Sequence, residues 1–255
     1  MPNNRIINIL FCPKYQSLSD NRNISFRMFI SWYQSSVMFY HILPAISHVT
    51  EYKSISYNCI PENIRNRAGG PFMKEITVVT GNEDKAKEVA AFFEGICAVE
   101  HVNLDLTEIQ DDDIGKIAHF KAHEAYELLK KPLIVDDTGF FINAFKGFPG
   151  AYASYVLDTI GISGILSLLA GLPDRSGTFV TAIAYADSEG IQVFEGEVKG
   201  KITKIPRGDN GFGYDPIFEY EGRTFAEIPL KEKSMISHRA RALAEFKKWF
   251  IENRA

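Results

Sequence analysis

Several short islands in this chain combine residue types and spacings suited to chemistry on a small anion. In "TVVTGNEDK" (77–85) an apolar strand runs into Thr80-Gly81-Asn82, and Lys85 follows. A strand that breaks at a glycine and restarts as a helix presents outward N–H groups and a positive dipole end, a common cradle for phosphate. The stretch has neither G-x-x-x-x-G-K-[ST] nor G-x-G-x-x-G spacing, so its motif alone names no ligand. In "LIVDDTGFF" (133–141), Asp136, Asp137 and Thr138 interrupt an apolar run and read as lying at a strand's end. Adjacent carboxylates repel each other and resist desolvation. A divalent cation would neutralise them, and Mg2+ prefers hard oxygen ligands; the same residues are also fair turn chemistry. In "DLTEIQDDD" (105–113), Asp111 to Asp113 read as a helix start. Glu108, between Leu106 and Ile109, reads as a further metal ligand facing a shared site.

Two later islands add aromatics and cations. "PRGDNGFGYDPIF" (206–218) packs three Gly and two Pro around Phe212 and Tyr214, which reads as a loop displaying both rings. Rings on a constrained backbone suit stacking on a base, worth about 1–3 kcal/mol. In "EKSMISHRARAL" (232–243), Ser237 is a plausible N-cap, which puts His238 and Arg239 in the first helical turn beside Lys233. Cations there oppose the helix dipole, so a carbonyl or an anion should favour them. Lys121, in "HFKAHEAY", reads by itself as a solvated helical lysine; His119 and His123 share a face of that helix but have no third ligand in view.

The elements that must position these groups are clear from residue 73 onward. "EITVVT" reads as a strand, then "EDKAKEVAAFFEG" as an amphipathic helix with Ala86, Val89, Ala90 and Phe93 on one face and Gly95 as its stop. "AVEHVNL" reads as a strand and "DDDIGKIAHFKAHEAYELLKK" as a long helix, acidic at its start and basic at its end. "SYVLDTIGISGILSLLAG" is helical in one or two pieces. "GTFVTAIAYAD" and "IQVFEGEVKGKI" are strands around a turn at Ser188-Glu189-Gly190. "HRARALAEFKKWFIE" closes the chain as a helix with Leu243, Phe246 and Phe250 on one side. This order argues for a mixed α/β sheet flanked by helices.

Composition bounds the partners. The 255 residues carry a net charge of −4 and are 45% hydrophobic, ordinary for a globular chain and without the basic surplus of a nucleic-acid binder. Three cysteines, Cys12, Cys59 and Cys97, form no C-x-x-C or Cys/His cluster, so neither a disulfide framework nor a zinc site is expected; a reducing cytoplasm fits. Residues 1–72 differ from the rest, being rich in Asn, Ser, Ile, Phe and Tyr without a clear period. The stretch 28–46 lacks Asp, Glu, Lys and Arg, but Gln34, His41, Pro44 and its serines dilute it below a membrane span, and the N-terminus makes a poor signal peptide. Arg65 to Pro71 read as a linker-like break. The expected division is 1–72, an extension of no assigned function, poorly ordered or the product of a mis-assigned start with Met73 as the natural one, and 73–255, the functional domain.

T-G-N-x-x-K after the first strand, D-D-[ST]-G, G-F-G-Y-D-P and E-K-S-x-x-S-H-R, in this order, resemble the inosine triphosphate pyrophosphatase family, as does "GFPGAYASY" (147–155) with its G-x-P-G-x-Y segment. The resemblance covers about residues 73–253 and none of 1–72. It implies an elongated α/β fold with two lobes and the active-site cleft between them, a homodimer and Mg2+. It implies hydrolysis of deaminated purine nucleoside triphosphates (ITP, dITP, XTP) to monophosphate and pyrophosphate. The alternatives are a related house-cleaning pyrophosphatase for other modified nucleotides and a non-catalytic nucleotide sensor. By the resemblance, Thr80, Gly81, Asn82, Lys85 and Lys121 contact the triphosphate and Asp137 accepts the proton of the attacking water. Glu108, Asp136 and Asp137 attend the metal, and Thr138 touches substrate. Phe212, Gly213, Tyr214 and Asp215 form the base loop, and Lys233, His238 and Arg239 read the base edge.

Overall fold

The computed structural model describes residues 54–57 and 75–254. The elements run β1 (Ser54–Tyr57), β2 (Glu75–Val79), α1 (Glu83–Phe92), β3 (Ala98–Val102), α2 (Ile114–Leu129), β4 (Leu133–Ile142), β5 (Pro149–Gly150), α3 (Ala153–Leu168), β6 (Ser176–Asp187), β7 (Gly190–Ile202), β8 (Phe218–Tyr220), β9 (Arg223–Thr224), α4 (Leu230–Ile236) and α5 (His238–Asn253). Three helix starts are written in side chains. Asn82 accepts from the Asp84 and Lys85 amides, Asp113 from those of Gly115 and Lys116, and Ser237 from that of Ala240, each satisfying N–H groups that a helix leaves open.

One sheet carries every described strand, in the order β1-β3-β2-β4-β6-β7-β8-β9 with β5 on β4. β2 pairs in parallel with β3 and β4, while β4, β6 and β7 are antiparallel, so the sheet is mixed as expected. On one face α1 and α5 set Val89, Phe93, Leu243 and Phe246 against Ile76, Val78, Ile134 and Ile183. On the other, Ala118, Ala122 and Ala125 of α2 meet Val79, Val135, Ala182 and Ala184; the run of alanines lets helix and sheet approach closely. A third cluster gathers Phe140, Phe179, Phe218, Phe225 and Tyr214 under α3 and the 206–218 loop.

Three expectations change, and the open choice between one helix and two at α3 is decided. β4 does not end at Asp136: it runs unbroken to Ile142, because β6 pairs with every residue from Leu133 to Ile142. α3 is divided at Gly161, whose φ of 65° and ψ of −174° no helix holds. Part of the segment assigned to a functionless extension belongs to the sheet: β1 covers the edge of β3, with Ile55 opposite His101. Tyr214 is buried rather than displayed; its hydroxyl donates to the Ala153 carbonyl at 2.9 Å. The stretch 28–46, the break at 65–71, Met73, Cys12 and Cys59 lie outside the described residues. Among those described, no helix is long and apolar enough to cross a membrane.

One glycine decides where α5 begins. Gly196 of β7 lies opposite Thr181 of β6, and a Cβ there would stand 2.3 Å from the His238 carbonyl oxygen and 2.4 Å from the Ala242 nitrogen. The missing side chain lets the first turn of α5 lie directly on the sheet. Gly196→Ala should destabilise the protein by about 1–3 kcal/mol through overpacking, roughly 2–12 °C in Tm for a chain of this size. Calorimetry checks this, and an unchanged Tm would mean that α5 has room the packing does not show.

Candidate active site

A cleft of about 850 Å³ opens between the β2–α1 turn, the segment 103–111 and α2 on one side, and α3 and the 212–215 loop on the other. Residues from all the sequence islands line it, including Lys85, Glu108, Lys121, Asp137, Phe212 and Arg239.

The alternation of β4 divides the two carboxylates. Successive strand residues point to opposite faces, so Asp136 and Thr138 face α1 and α5 while Asp137 faces α2. Asp136 accepts from Arg239 Nε at 2.7 Å and pairs with Lys85 Nζ at 3.0 Å. Burial acts to raise its pKa, but Arg239 and Lys85 outweigh burial and hold it at about 2. Asp137 Oδ2 meets Lys121 Nζ at 3.1 Å, and its other oxygen accepts the Thr138 amide at 2.9 Å. The same Lys121 ammonium reaches Glu108 at 2.8 Å. Burial acts against its charge, yet Asp137 and Glu108 raise its pKa, and the bond to Lys121 lowers that of Glu108. Lys121 is therefore not a solvated surface lysine. His119 and His123 of the same helix are exposed.

Asp136 and Asp137, expected together at the metal, thus point to opposite faces of β4. Asp136 lies in a buried site with Arg239 and Lys85, whereas Asp137 meets Lys121. Asp137 and Glu108 do fit a hard divalent cation, since both converge on one cationic point at the mouth of the cleft. Among the described residues no three His, Cys, Asp or Glu side chains cluster as a complete ligand set. Two carboxylates suit a Mg2+ ion that takes its other oxygens from phosphate and water.

The 80–85 turn is self-supporting. Thr80 Oγ1 accepts from the Asn82 amide at 3.1 Å, and the Asn82 carbonyl group of the side chain caps α1. Behind it, the His101 ring bonds the Thr80 carbonyl oxygen at 2.8 Å. The exposed Gly81 and Asn82 and the Lys85 ammonium thus surround a helix N-terminus at the cleft.

The opposite wall is built on buried charge. Lys233, 2% exposed, bonds Glu88 and Asp215; Arg239, 1% exposed, bonds Glu88 and Asp136 and donates through Nη2 to Thr138 Oγ1 at 3.2 Å. These carboxylates answer the question of cations at a helix start: anions favour Arg239 there. Burial opposes ionisation of Glu88, but Arg239 and Lys233 lower its pKa; for Asp215 burial prevails over Lys233 and raises it. Lys233 and Asp215 are consequently struts more than free substrate contacts. Asp215 also accepts the Phe212 amide at 2.8 Å, and the loop can wrap it only because Gly211, at φ +73°, has no Cβ to strike that carboxylate. Gly213 likewise adopts φ +62°. Phe212 is left half-buried in the cleft, its ring centre 4.9 Å from Lys233 Nζ and 5.9 Å from the Arg239 guanidinium.

His238 Nδ1 lies 2.6 Å from Thr181 Oγ1, which lies 2.7 Å from Thr138 Oγ1. Burial, and then the cations around it, push the His238 pKa well below its ordinary value, which favours the neutral ring. The sequence islands contain neither Glu88 nor Thr181. Glu88 sits beside the apolar positions of an amphipathic helix, and its only signal is that two buried cations elsewhere need a counter-charge; Thr181 looks like any polar residue in a strand.

Residues 76–249 match the model of the Ham1 family. The chain is 47% identical over 184 residues to a dITP/XTP pyrophosphatase of Saccharolobus solfataricus, covering 70% of this chain and 94% of that one. It is 41% identical over 180 residues to inosine triphosphate pyrophosphatase 2 of Trypanosoma cruzi, covering 69% and 92%. The fold is similar to the Ham1 protein of Staphylococcus aureus, with a TM-score of 0.61 at 29% identity over 71% of this chain and all of the other. A HAM1 protein of Coxiella burnetii gives a TM-score of 0.61 at 30% identity. On the family model and these identities, the chain belongs to the Ham1 family.

Proposed function

We propose that this protein is a Mg2+-dependent pyrophosphohydrolase that cuts deaminated purine nucleoside triphosphates (ITP, dITP, XTP) to the monophosphate and pyrophosphate. The observation that carries the reading is the polarity of the cleft: Lys85, Lys121, Asp137 and Glu108 at one wall, and an aromatic ring over buried donors at the other. The triphosphate lies along the 80–85 turn, where the start of α1, Lys85 and Lys121 offset its charge. Mg2+ held by Asp137 and Glu108 would neutralise phosphate oxygens. Asp137 orients a water and accepts its proton as the water attacks the α-phosphorus. The base stacks on Phe212. Arg239 has five N–H donors, of which three bind Asp136, Glu88 and Thr138, so two remain for a 6-oxo acceptor. Adenine's amino group would oppose them, and stranding buried donors discriminates strongly. A sensor without turnover would have no use for a carboxylate held at the cleft beside Lys121.

The family resemblance also implies a homodimer, and the exposed aromatics Phe148, Tyr152 and Tyr155 near the start of α3 offer it an apolar surface. Sedimentation equilibrium should return twice the chain mass; the mass of one chain would remove that part of the proposal. A cytoplasmic location suits an enzyme of the nucleotide pool with a free buried Cys97, and cell fractionation tests it.

The full chain with Mg2+ should release pyrophosphate from ITP, dITP and XTP, with little from ATP, GTP or CTP. Release of orthophosphate instead would place attack at the terminal phosphate and overturn the mechanism. Asp137→Asn should retain the Tm while kcat falls by about 10²–10⁴, the usual worth of general base catalysis; near-wild-type turnover would take Asp137 out of that role.

The neutral His238 has a pH signature in stability. The unfolded imidazole takes up a proton below about pH 6.5, and the folded one does not until far lower. The unfolded state therefore binds more protons, and the stability present above that pH is lost as pH falls through 6.5. The slope for one proton is about 1.4 kcal/mol per pH unit. Between pH 7.5 and 5.5, urea unfolding should show wild type losing about 1.4 kcal/mol more stability than His238→Gln. Parallel curves would mean that His238 is protonated in the folded protein.

A further inference from the structure

We propose that Thr181 is a positioning residue that sets the tautomer of His238, holding Nδ1 as an acceptor so that Nε2 presents its N–H to the base. The inference rests on the reading of His238 as a base contact. Its ground is a continuous chain across two strands and a helix. Arg239 Nη2 lies 3.2 Å from Thr138 Oγ1, Thr138 Oγ1 lies 2.7 Å from Thr181 Oγ1, and Thr181 Oγ1 lies 2.6 Å from His238 Nδ1.

The direction of this chain follows from its first link. A guanidinium only donates, so Thr138 Oγ1 accepts from Arg239. If Thr138 gives its own hydrogen to Thr181, and Thr181 gives its hydrogen to Nδ1, both hydroxyls are satisfied and one polar group is left open, the Nε2–H. In the reverse direction Nδ1–H donates to Thr181 and Thr181 to Thr138. Thr138 then receives two donors, its own hydrogen has no acceptor among the described residues, and Nε2 is left as a bare lone pair. The first arrangement leaves fewer open groups, and the positive charge of Arg239 polarises every bond in its favour. A cationic ring would force the reverse, but burial and the cations Arg239, Lys233, Lys85 and Arg241 disfavour it.

The surroundings fix the ring in this use. Thr138 and Thr181 are directly opposed in register between β4 and β6. Thr181 is wholly buried. Phe179 stacks on the imidazole with ring centres 4.7 Å apart and planes 23° apart, and Gly196 opposite Thr181 admits the first turn of α5. No hydrogen-bond partner of Nε2 occurs among the described residues, and His238 lines the cleft. A fixed Nε2–H meets the acceptor of a 6-oxopurine and opposes the amino donor of adenine. A ring free to change tautomer would accept either.

The experiment joins spectroscopy to kinetics. Nitrogen-15 NMR of the full chain labelled at histidine, with His238 assigned through His238→Gln, should find Nδ1 unprotonated and Nε2 protonated in wild type. Thr181→Val, which keeps the shape and removes the hydroxyl, should give mixed tautomers. It should also lower the ITP-to-ATP ratio of kcat/KM about tenfold, the equivalent of roughly 1.4 kcal/mol. Thr181→Ser should restore both. A protonated Nδ1 in wild type overturns the inference, and that spectrum decides even where Thr181→Val does not fold. An unchanged ITP-to-ATP ratio in a folded Thr181→Val also overturns it. If wild type hydrolyses none of the triphosphates, the proposed function fails, while the spectrum still reads the tautomer.

Discussion

Three cations, Lys85, Lys233 and Arg239, and three carboxylates, Glu88, Asp136 and Asp215, are bound to one another inside this protein, and the site depends on that closed network. An isolated ion moved from water into a protein interior carries an idealised cost of order 20 kcal/mol, and even after relaxation several remain. No member can therefore stay buried and charged without its partners. The partners come from α1, β4, the 206–218 loop, α4 and α5, so the electrostatics oblige five separately formed elements to converge on one place. Apolar contacts bring the helices to the sheet, but apolar contacts tolerate sliding; the guanidinium fork of Arg239, gripping Asp136 and Glu88, does not.

The network also separates two kinds of task. The alternation of β4 gives Asp136 to the buried face and Asp137 to the open one, one residue apart. Asp136 fixes Arg239 and Lys85 in place. Asp137 keeps an exchangeable partner in Lys121, with the exposed Glu108 beside it. The buried side is already organised before any ligand arrives, so binding there costs little reorganisation. On the open side, the Lys121 ammonium is the only cation that meets Asp137 and Glu108 among the described residues.

How much of this was legible beforehand follows from the range of each interaction. The cap at Ser237, the acidic start of α2 and the apolar stripes of α1 and α5 are local, and the sequence declares them. The alternation of helices and strands points to a mixed sheet, and the ordered motifs mark the walls of the cleft. Four features were out of reach because they are non-local. Asp136 and Asp137 looked like a strand end, since nothing in their neighbourhood reveals that β6 pairs straight through them. Tyr214 looked displayed, since the Phe140 ring and the Ala153 carbonyl that receive it are distant in sequence. Glu88 drew no reading, since its partners Lys233 and Arg239 lie far along the chain. Residues 54–57 seemed unrelated to the domain, and only the exposed edge of β3 explains their place.

A physical reason connects the buried wall to selectivity. A pocket that merely fits a purine shape separates hypoxanthine from adenine poorly, because the two differ little in volume. Hydrogen-bond direction separates them well, provided the donors cannot turn into acceptors. A guanidinium meets that condition by its chemistry. An imidazole does not, because its two nitrogens can exchange roles at little cost in water. Placing the ring where burial keeps it neutral, stacking it on Phe179 and tying Nδ1 through two hydroxyls to a fixed cation removes that freedom. The hydroxyl chain Thr138–Thr181 thus extends the directionality of Arg239 to His238, and the charge network that holds the fold together also determines which face of each group the cleft presents.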